Sequence, residues 1–443
     1  MKDVEIRVPD VGTTTDEIEV VEWLVRVGEQ VTLGQPLLVV ETDKALMEIE
    51  SVAAGTLKQI IAEPGQEMAT GEVLAIVASE GAAQLAMTTS STTPASTNTA
   101  PAPSVQKQAA GQFDNALAIP DVDIDSYDRD FLLSLYERMA LIRTFEDRVK
   151  LLFLEGSMPG TIHQCQGQEA CAVGVCAALN QDDFITSTFR GHGHALAKGV
   201  TVEGLLYELF GALSGCCKGK GGSMHVGDMR IGMVPGIAIV GGGVPLAAGM
   251  GLAFKMQKSS QVVASFLGDG AIAEGAFHEG INLAAIWDLP VVYVCENNHY
   301  GASTRVDKVM RNQRISERAA TYGIPAQTID GNDVLAVYET TRKAVELCRD
   351  AQGPVFLELL TYRRTGHSRR DACHYQPSEE RDYWMSRDPI TLLGVQLVER
   401  RGVPQNKLDE LQTKVNQQFD DALSAVPDQP MPTVDDLTTD LWA

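Results

Sequence analysis

Positive charge is scarce in this chain of 443 residues. Lys and Arg number 36 against 59 Asp and Glu, which gives a formal net charge of -23 at pH 7. Nucleic acids and anionic membrane surfaces attract basic proteins, so we expect neither as a partner. The start of the chain has charges at Lys2, Asp3, Glu5 and Arg7, where a signal peptide would need an apolar stretch. We therefore expect a cytoplasmic protein.

Cysteine pairs and membrane-spanning runs are also missing. The eight cysteines include no Cys-x-x-Cys pair, although Cys216 and Cys217 are adjacent. Such cysteines are most often small buried hydrophobes in a reducing compartment. One uncharged run, 233–254, contains two prolines and many glycines, which is a poor composition for a helix that faces lipid. It is better interpreted as a glycine-rich loop that leads into a buried helix.

Composition divides the chain into three zones. Residues 1–80 hold short apolar runs separated by Gly and Pro turns, a pattern typical of a small all-β unit. Residues 81–113 are mostly Ala, Thr, Ser and Pro, which cannot bury a core and should form a mobile linker. From 114 to 443, helical patterns alternate with short β-branched runs, which predicts an α/β domain with a mostly parallel sheet.

The first zone contains an internal repeat. Gly28 and Gly34 recur as Gly65 and Gly71 at the same spacing, and each pair precedes an apolar run. Two similar halves of this kind can bury their apolar faces as a flattened β-sandwich. Lys44 falls between the halves at a predicted hairpin tip, where an isolated lysine is usually only an exposed turn residue.

The whole zone resembles the lipoyl domains of 2-oxo acid dehydrogenase complexes. Biotin carriers share this architecture but place Met on both sides of their lysine, whereas Asp43 and Ala45 flank Lys44 here. The resemblance implies a covalent lipoate on Lys44.

The strongest signal in the large domain is a pair of buried-strand patterns that end in polar residues. One leads into Gly268-Asp269-Gly270 and the other into Asn297-Asn298. The interval 274–287 has apolar residues at helical spacing and predicts a crossover helix. Two parallel strands would therefore deliver Asp269 and Asn298 to the same carboxyl edge of the sheet, where open α/β sheets bind ligands.

The polar residues at this edge suit a metal-bound diphosphate. Asp269 and Asn298 offer hard oxygen ligands for Mg²⁺, and Gly270 lets the backbone approach phosphate at a helix N-terminus. Gly-Asp-Gly alone is common in turns, but with this strand, helix and Asn-Asn it resembles the thiamine-diphosphate motif. The resemblance implies that Asp269, Asn298 and the Tyr300 carbonyl hold Mg²⁺, and that Gly270 and Ala271 contact the diphosphate.

The rest of the domain, from about 120 to 440, resembles the alpha subunits of pyruvate dehydrogenase and its relatives. The stretches that carry the resemblance are Gly167-Gln168-Glu169-Ala170, Arg190-Gly191-His192-Gly193, Lys218-Gly219-Lys220-Gly221-Gly222-Ser223-Met224-His225 and Tyr362-Arg363-Arg364-Thr365-Gly366-His367-Ser368. It implies that Phe189 and Arg190 meet the diphosphate and that backbone groups at Ala238 and Val240 hold the aminopyrimidine ring. It also implies that the catalytic His163 and His367 face the reacting carbon and the substrate.

Several positions depart from the pyruvate-type pattern, namely Thr161, Phe189, Ala238, Arg370 and Gln376. Acetoin-cleaving relatives also share the Arg-Gly-His-Gly-His pattern at 190–194. We expect oxidative decarboxylation of a 2-oxo acid, first of all pyruvate, with transfer of the acetyl group to lipoyl-lysine. Acetoin and branched-chain 2-oxo acids are the alternatives, and regulation at Ser368 stays open.

The resemblance also implies partners. We find no glutamate in a context that would serve the aminopyrimidine ring, so a beta subunit should supply it in a heterotetramer, and a dihydrolipoyl acyltransferase component should accept the acyl group. Two other hypotheses are weaker. A nicotinamide oxidoreductase would need a third glycine and an acidic residue that are missing after Gly268 and Gly270. A catalytically silent lipoyl scaffold would not need to keep the catalytic and cofactor-binding residues.

Overall fold

The computed structural model describes residues 2–8, 17–32, 34–41, 46–69, 71–79, 122–368, 371 and 373–440. The chain divides into two units, Met1–Gly111 with Leu151–Ser157, and Gln112–Lys150 with Met158–Ala443. The predicted lipoyl site Lys44, the predicted linker 81–113 and Arg370 lie outside the described residues. The predicted domain boundaries therefore stay predictions.

The N-terminal unit is built from short antiparallel strands. In its described part these are β1 Lys2–Arg7, β2 Glu17–Trp23, β3 Gln30–Val31, β4 Pro36–Glu41, β5 Leu46–Glu50, β6 Gly55–Ile60, β7 Glu67–Ala69 and β8 Val73–Ser79. They form two four-stranded sheets in the orders β1-β8-β6-β3 and β5-β4-β2-β7. Alternate side chains such as Val20, Leu38, Leu57 and Val77 are fully buried between strands. The predicted all-β unit is confirmed.

The repeat glycines occupy equivalent turns in the two halves of this unit. Their φ angles are 92°, 78°, 84° and 87° at Gly28, Gly34, Gly65 and Gly71. This left-handed region is open to glycine at little cost. The N–H of Gly28 donates to the Leu57 carbonyl over 2.8 Å, and the N–H of Gly65 donates to the Val20 carbonyl over 2.7 Å. Each turn thus anchors one half of the repeat to the other.

The larger unit contains a five-stranded parallel sheet in the order β14-β15-β11-β10-β9. Its strands are β9 Phe184–Thr186, β10 Val263–Gly268, β11 Val291–Asn297, β14 Ala326–Asp330 and β15 Val355–Leu360, and β12 Tyr300–Gly301 pairs with β13 Thr304–Arg305 beside it. The helices are α1 Arg129–Leu154, α2 Glu169–Ala177, α3 His192–Lys198, α4 Val202–Leu209, α5 Gly243–Gln257, α6 Gly275–Ile286, α7 Val306–Val309, α8 Ile315–Ala320, α9 Val334–Arg349, α10 Ser378–Met385, α11 Pro389–Glu399 and α12 Gln405–Ser424.

The centre of this sheet is the predicted strand–helix–strand unit. Strands β10 and β11 pair in parallel, with Gly268 opposite Glu296, and α6 connects them. Every residue of β11 is buried, as expected for a parallel strand with both faces covered. Asp269 and Asn298 follow directly after the two strands, so they emerge at one edge.

The apolar run 233–254 also has the predicted organisation. Its glycine-rich part precedes α5, which begins at Gly243 and packs against β10 and α6. Within the described residues, none of the helices combines the length and apolar character that crossing a membrane requires.

Candidate active site

A cavity of about 610 Å³ lies at the carboxyl edge of the parallel sheet. All predicted cofactor, metal and catalytic residues of the large unit line it, namely His163, Phe189, Arg190, Ala238, Val240, Asp269, Gly270, Ala271, Asn298, Tyr300 and His367. They come from six separate loops and strand ends. This placement brings them together, while the role of each residue stays a prediction.

The edge of the cavity that is predicted to bind the metal contains a buried acid whose charge is only partly compensated. Asp269 is 3% exposed, and burial raises the pKa of its carboxyl to about 7. Asn298 is held in place because its Nδ2 donates to Gln168 Oε1 over 3.2 Å and its Oδ1 accepts from the Tyr300 N–H over 3.3 Å. A divalent cation would relieve the cost of the buried carboxylate, so these oxygen donors fit the predicted Mg²⁺.

The backbone next to Asp269 leaves little room for a side chain at position 270. A Cβ added to Gly270 would lie 3.2 Å from the Cα of Gly301, which is also glycine. Asp269–Ala273 forms a short 3-10 helix and α6 begins two residues later. Backbone N–H groups at the start of helical turns favour anions. The geometry therefore fits a diphosphate close to Gly270 and Ala271.

Arg190 supplies a buried cation at the cavity. It is 5% exposed, and burial lowers the pKa of its guanidinium to about 10. Its side chain donates to the carbonyls of Gln164 and His367, the latter over 2.9 Å. Because these partners are neutral, the positive charge is still available to an anionic ligand.

The two predicted catalytic histidines form a cluster with Phe189. The ring centroids of His163 and His367 are 5.2 Å apart, and the Phe189 ring lies 4.8 Å and 5.6 Å from them. Burial, followed by the charge of Arg190, lowers the pKa of His163 to about 3 and that of His367 to about 4. Both rings are therefore neutral at pH 7. The Nδ1 atom of His163 is buried and has no hydrogen-bond partner among the described residues.

Ala238 and Val240 belong to a loop that forms the rim of the cavity. Val240 is 46% exposed, and its neighbour Ile239 is 77% exposed. The rim of the cavity therefore exposes two adjacent apolar side chains.

Family models match both units of the chain. The family described as the dehydrogenase E1 component matches residues 137–435, and the family described as biotin-requiring enzyme, which covers biotin and lipoyl domains, matches residues 4–77. The chain belongs to the dehydrogenase E1 component family. The predicted family, fold class and enzyme class are thereby confirmed: it is a thiamine-diphosphate-dependent oxidoreductase of the 2-oxo acid dehydrogenase type with an N-terminal lipoyl-type domain.

Curated relatives cover the E1 part of the chain. The chain is 44% identical over 311 residues to the alpha subunit of acetoin:2,6-dichlorophenolindophenol oxidoreductase from Bacillus subtilis, which covers 70% of this chain and 93% of the relative. The subunit of the same name from Cupriavidus necator is 39% identical over 316 residues, covering 71% and 95%. The pyruvate dehydrogenase E1 component subunit alpha of Rhizobium meliloti is 36% identical over 319 residues, covering 72% and 92%.

Two residues of this E1 subunit lie at the cavity although no role was predicted for them. Gln168 orients Asn298, and its own Nε2 is buried without a hydrogen-bond partner in the described part of the chain. Arg363 is 1% exposed and donates to the carbonyls of Ala302 and Thr365 over 3.0 Å each. The sequence contained a signal for both residues, because Gln168 lies in the stretch 167–170 and Arg363 in the stretch 362–368, and both stretches resemble the family.

His192, by contrast, makes contacts inside the protein and not at the cavity. Its ring lies 3.3 Å from Glu146 Oε2 and 2.9 Å from Ser223 Oγ, and the residue is fully buried. It does not line the cavity. The neighbouring Arg190 therefore reaches the site while His192 supports the loops behind it.

Proposed function

We propose that this E1 alpha subunit acts on acetoin and passes the acetyl fragment to a lipoyl group. The observation that carries the proposal is the neutral wall formed by His163, His367 and Phe189, because acetoin has a hydroxyl group and no charge. A neutral imidazole can both donate and accept a hydrogen bond. The two relatives named for acetoin, at 44% and 39% identity, support the same substrate.

The residues of this chain have separable roles in that reaction. When bound, thiamine diphosphate would supply a nucleophilic carbon and an electron sink for cleavage of the bond next to the substrate carbonyl. Asp269, Asn298 and the Tyr300 carbonyl would hold Mg²⁺, and Arg190 would neutralise the diphosphate. His163 Nδ1 exchanges a proton with a substrate oxygen, since its ring is neutral at pH 7.

A beta subunit completes the site in this proposal. E1 alpha subunits pair with beta subunits in such complexes, and we propose a heterotetramer here. The exposed rim residues Ile239 and Val240 support it, as do Leu246 and Met256 on α5 and Ile286 on α6, which are 42%, 75% and 64% exposed. Exposed apolar side chains of this kind are common in the buried parts of protein interfaces.

Pyruvate is the second candidate substrate, and it is the one that the sequence favoured. Two arginines, Arg190 and Arg363, line the cavity and could attract a carboxylate. Relatives named as pyruvate dehydrogenase alpha subunits are 34–38% identical to this chain. Either substrate would leave the same acetyl group for lipoate.

Substrate choice can be tested on the reconstituted alpha and beta subunits with a dye acceptor. We expect kcat/KM for acetoin to exceed that for pyruvate or a branched-chain 2-oxo acid by about tenfold or more, a difference of ~1.4 kcal/mol in transition-state binding. Release of CO₂ reports pyruvate turnover directly. Faster turnover of pyruvate with stoichiometric CO₂ would assign the enzyme to 2-oxo acids instead. The chain without its partner should be inactive.

We also propose that Lys44 carries lipoate and hands its acyl group to an acyltransferase component. The match of the N-terminal unit to the biotin and lipoyl family supports this. Mass spectrometry of protein from lipoate-fed cells should show the lipoyl mass on Lys44, and acetylation should follow on addition of substrate and beta subunit. Lys44→Arg should carry neither group. A lipoylated Lys44 that stays unacetylated during turnover would contradict the role.

A further inference from the structure

Two adjacent thiols, Cys216 and Cys217, lie outside the cofactor cavity on the loop after α4. The N–H of Lys218 donates to the Gly215 carbonyl over 2.9 Å, so the cysteines are the two central residues of a β-turn. Cys216 lines a second cavity of about 480 Å³. Both cysteines are partly exposed, and their sulfur atoms lie within 4.8 Å of each other.

Glu208 has a carboxylate oxygen within 4.8 Å of both sulfurs, but its carboxylate is already hydrogen-bonded. Its carboxylate is fully buried and accepts four backbone N–H groups, over 2.8, 2.9, 2.7 and 3.1 Å, from Cys217, Gly219, Gly221 and Gly222. A metal ion would have to compete with these four donors and would find only two thiols besides. Glu208 therefore fixes the backbone of the loop, and the sulfur atoms are the groups free to react.

The Cys217 thiol is joined to the wall of the cofactor cavity. Its Sγ donates to the carbonyls of His225, over 3.4 Å, and Gly227, over 3.3 Å. The segment between these cysteines and carbonyls contains Met224, which lines the cofactor cavity. The His225 ring bonds to the Gly236 carbonyl over 2.8 Å, immediately before Ile237 and Ala238 in the same wall.

We propose that Cys216 and Cys217 are a redox modification site, at which a hydroperoxide joins the two sulfurs in a reversible vicinal disulfide and thereby loosens the cofactor cavity. The thiol of Cys216 donates to Cys217 and lowers the pKa of Cys217, which makes Cys217 the better nucleophile.

The reaction balances as a two-electron oxidation. The Cys217 thiolate attacks one oxygen of the hydroperoxide, the O–O bond breaks, and the products are a sulfenic acid and, once the leaving oxygen takes up a proton, an alcohol or water. The Cys216 sulfur then displaces the sulfenic hydroxyl as water and forms the S–S bond. Adjacent cysteines close a strained ring, and strained disulfides are readily reduced by thiols.

The structural consequence follows from the contacts of Cys217. Oxidation removes the S–H donor and draws its sulfur toward Cys216, so the carbonyls of His225 and Gly227 lose their partner. Glu208 holds the loop from Cys217 to Gly222, so the segment that follows Gly222 and carries Met224 takes up the change. Thiamine diphosphate should then bind more weakly.

The test uses the full chain assembled with its beta subunit and hydrogen peroxide as the probe. Peptide mass spectrometry should show a loss of two hydrogens across Cys216 and Cys217, reversed by dithiothreitol. Calorimetry should show the Kd for thiamine diphosphate rising about fivefold, the factor that one hydrogen bond is worth. Cys176→Ser alters a buried cysteine of α2 and should respond to peroxide as wild type does.

Cys216→Ser and Cys217→Ser separate the proposal from general oxidative damage. Each should bind thiamine diphosphate with an affinity that peroxide does not change. A vicinal disulfide without a change in wild-type cofactor affinity would overturn the proposal. So would oxidation of either sulfur to sulfinic acid with no disulfide. Should a variant fold poorly, the wild-type peptide mass and affinity still decide between these outcomes.

Discussion

Glu208 on helix α4 and Asp269 directly after β10 are both buried acids of the larger unit, but they differ in what surrounds the carboxylate. Glu208 is 0% exposed and accepts four backbone N–H groups. Asp269 is 3% exposed, and burial raises the pKa of its carboxyl to about 7. A buried acid therefore indicates a cation site only where its neighbours leave the charged form unfavourable. The Glu208 carboxylate fixes a loop through its hydrogen bonds, whereas the Asp269 carboxylate would be stabilised by a metal ion.

We expect the largest loss of stability for Glu208→Gln. The amide NH₂ would face two backbone N–H donors, and unsatisfied buried donors cost roughly 1–3 kcal/mol each, so we expect a loss of about 3 kcal/mol or more. Urea unfolding of the cofactor-free chain measures the free energy of unfolding. Glu203→Gln, on the same helix, should change it little. A loss below about 1 kcal/mol for Glu208→Gln would show that the four hydrogen bonds are not what holds this loop.

Asp269→Asn, unlike Glu208→Gln, should weaken cofactor binding without lowering the stability of the chain. It removes a charged metal ligand, so we expect the affinity for thiamine diphosphate with Mg²⁺ to fall about 100-fold or more. The free energy of unfolding of the cofactor-free chain should not fall, because a costly buried charge is removed while the amide oxygen of the new Asn side chain can still accept the Gly270 N–H. Calorimetric titration gives the affinity, and Asp350→Asn at the end of α9 serves as the exposed control. Unchanged affinity would remove Asp269 from the metal site.

The raised pKa of Asp269 adds a pH-dependent effect. The unfolded carboxyl titrates near 3.8 and the folded one near 7, so between these values the folded chain holds the extra proton. The stability contributed by this group is thus present below pH 4 and is lost as pH rises through 7. Without cofactor, Asp269→Asn should gain stability over wild type from pH 4 to pH 7, with no further gain above. Urea midpoints at pH 5 and pH 8 measure the difference, and a constant difference would contradict the pKa shift.

The smallest expected effect concerns a residue beside the metal site. The Tyr300 hydroxyl donates to Glu380 Oε1 over 2.8 Å, while only its backbone carbonyl is predicted to reach the metal. Tyr300→Phe should therefore cost about 1–2 kcal/mol of stability, because it removes the bond to Glu380 and a longer one from Arg305 Nη1, and it should weaken cofactor binding only a few-fold. Thermal unfolding and calorimetry together test this. A loss of cofactor affinity as large as that of Asp269→Asn would mean that the side-chain hydroxyl of Tyr300 also contributes to cofactor binding.

Some of this architecture could be predicted from local pattern alone. Asp269 and Asn298 follow two buried runs separated by a helical interval, and parallel strands must end at one edge of a sheet. His163, Arg190 and His367 could not be placed in this way, because they come from loops far apart in the chain. Their positions were predicted through the family resemblance.

Glu208 was overlooked, although the sequence contains a signal for it. It is a charged residue on a short helix between Leu205, Leu206 and Leu209, and a glycine-rich segment with free N–H groups follows. An acid on the apolar face of a helix needs donors nearby. What no pattern shows is which backbone groups turn back toward it, since that depends on the turns at 215–222.

The exposed rim of the cavity has a consequence for how this protein is made. Ile239 and Val240 are 77% and 46% exposed, and they should be covered only when the beta subunit is present. A cell that synthesised this chain in excess would accumulate molecules in which these apolar residues stay exposed. Such exposure favours aggregation or capture by chaperones and proteases. Balanced synthesis of the two subunits would therefore keep these apolar residues covered.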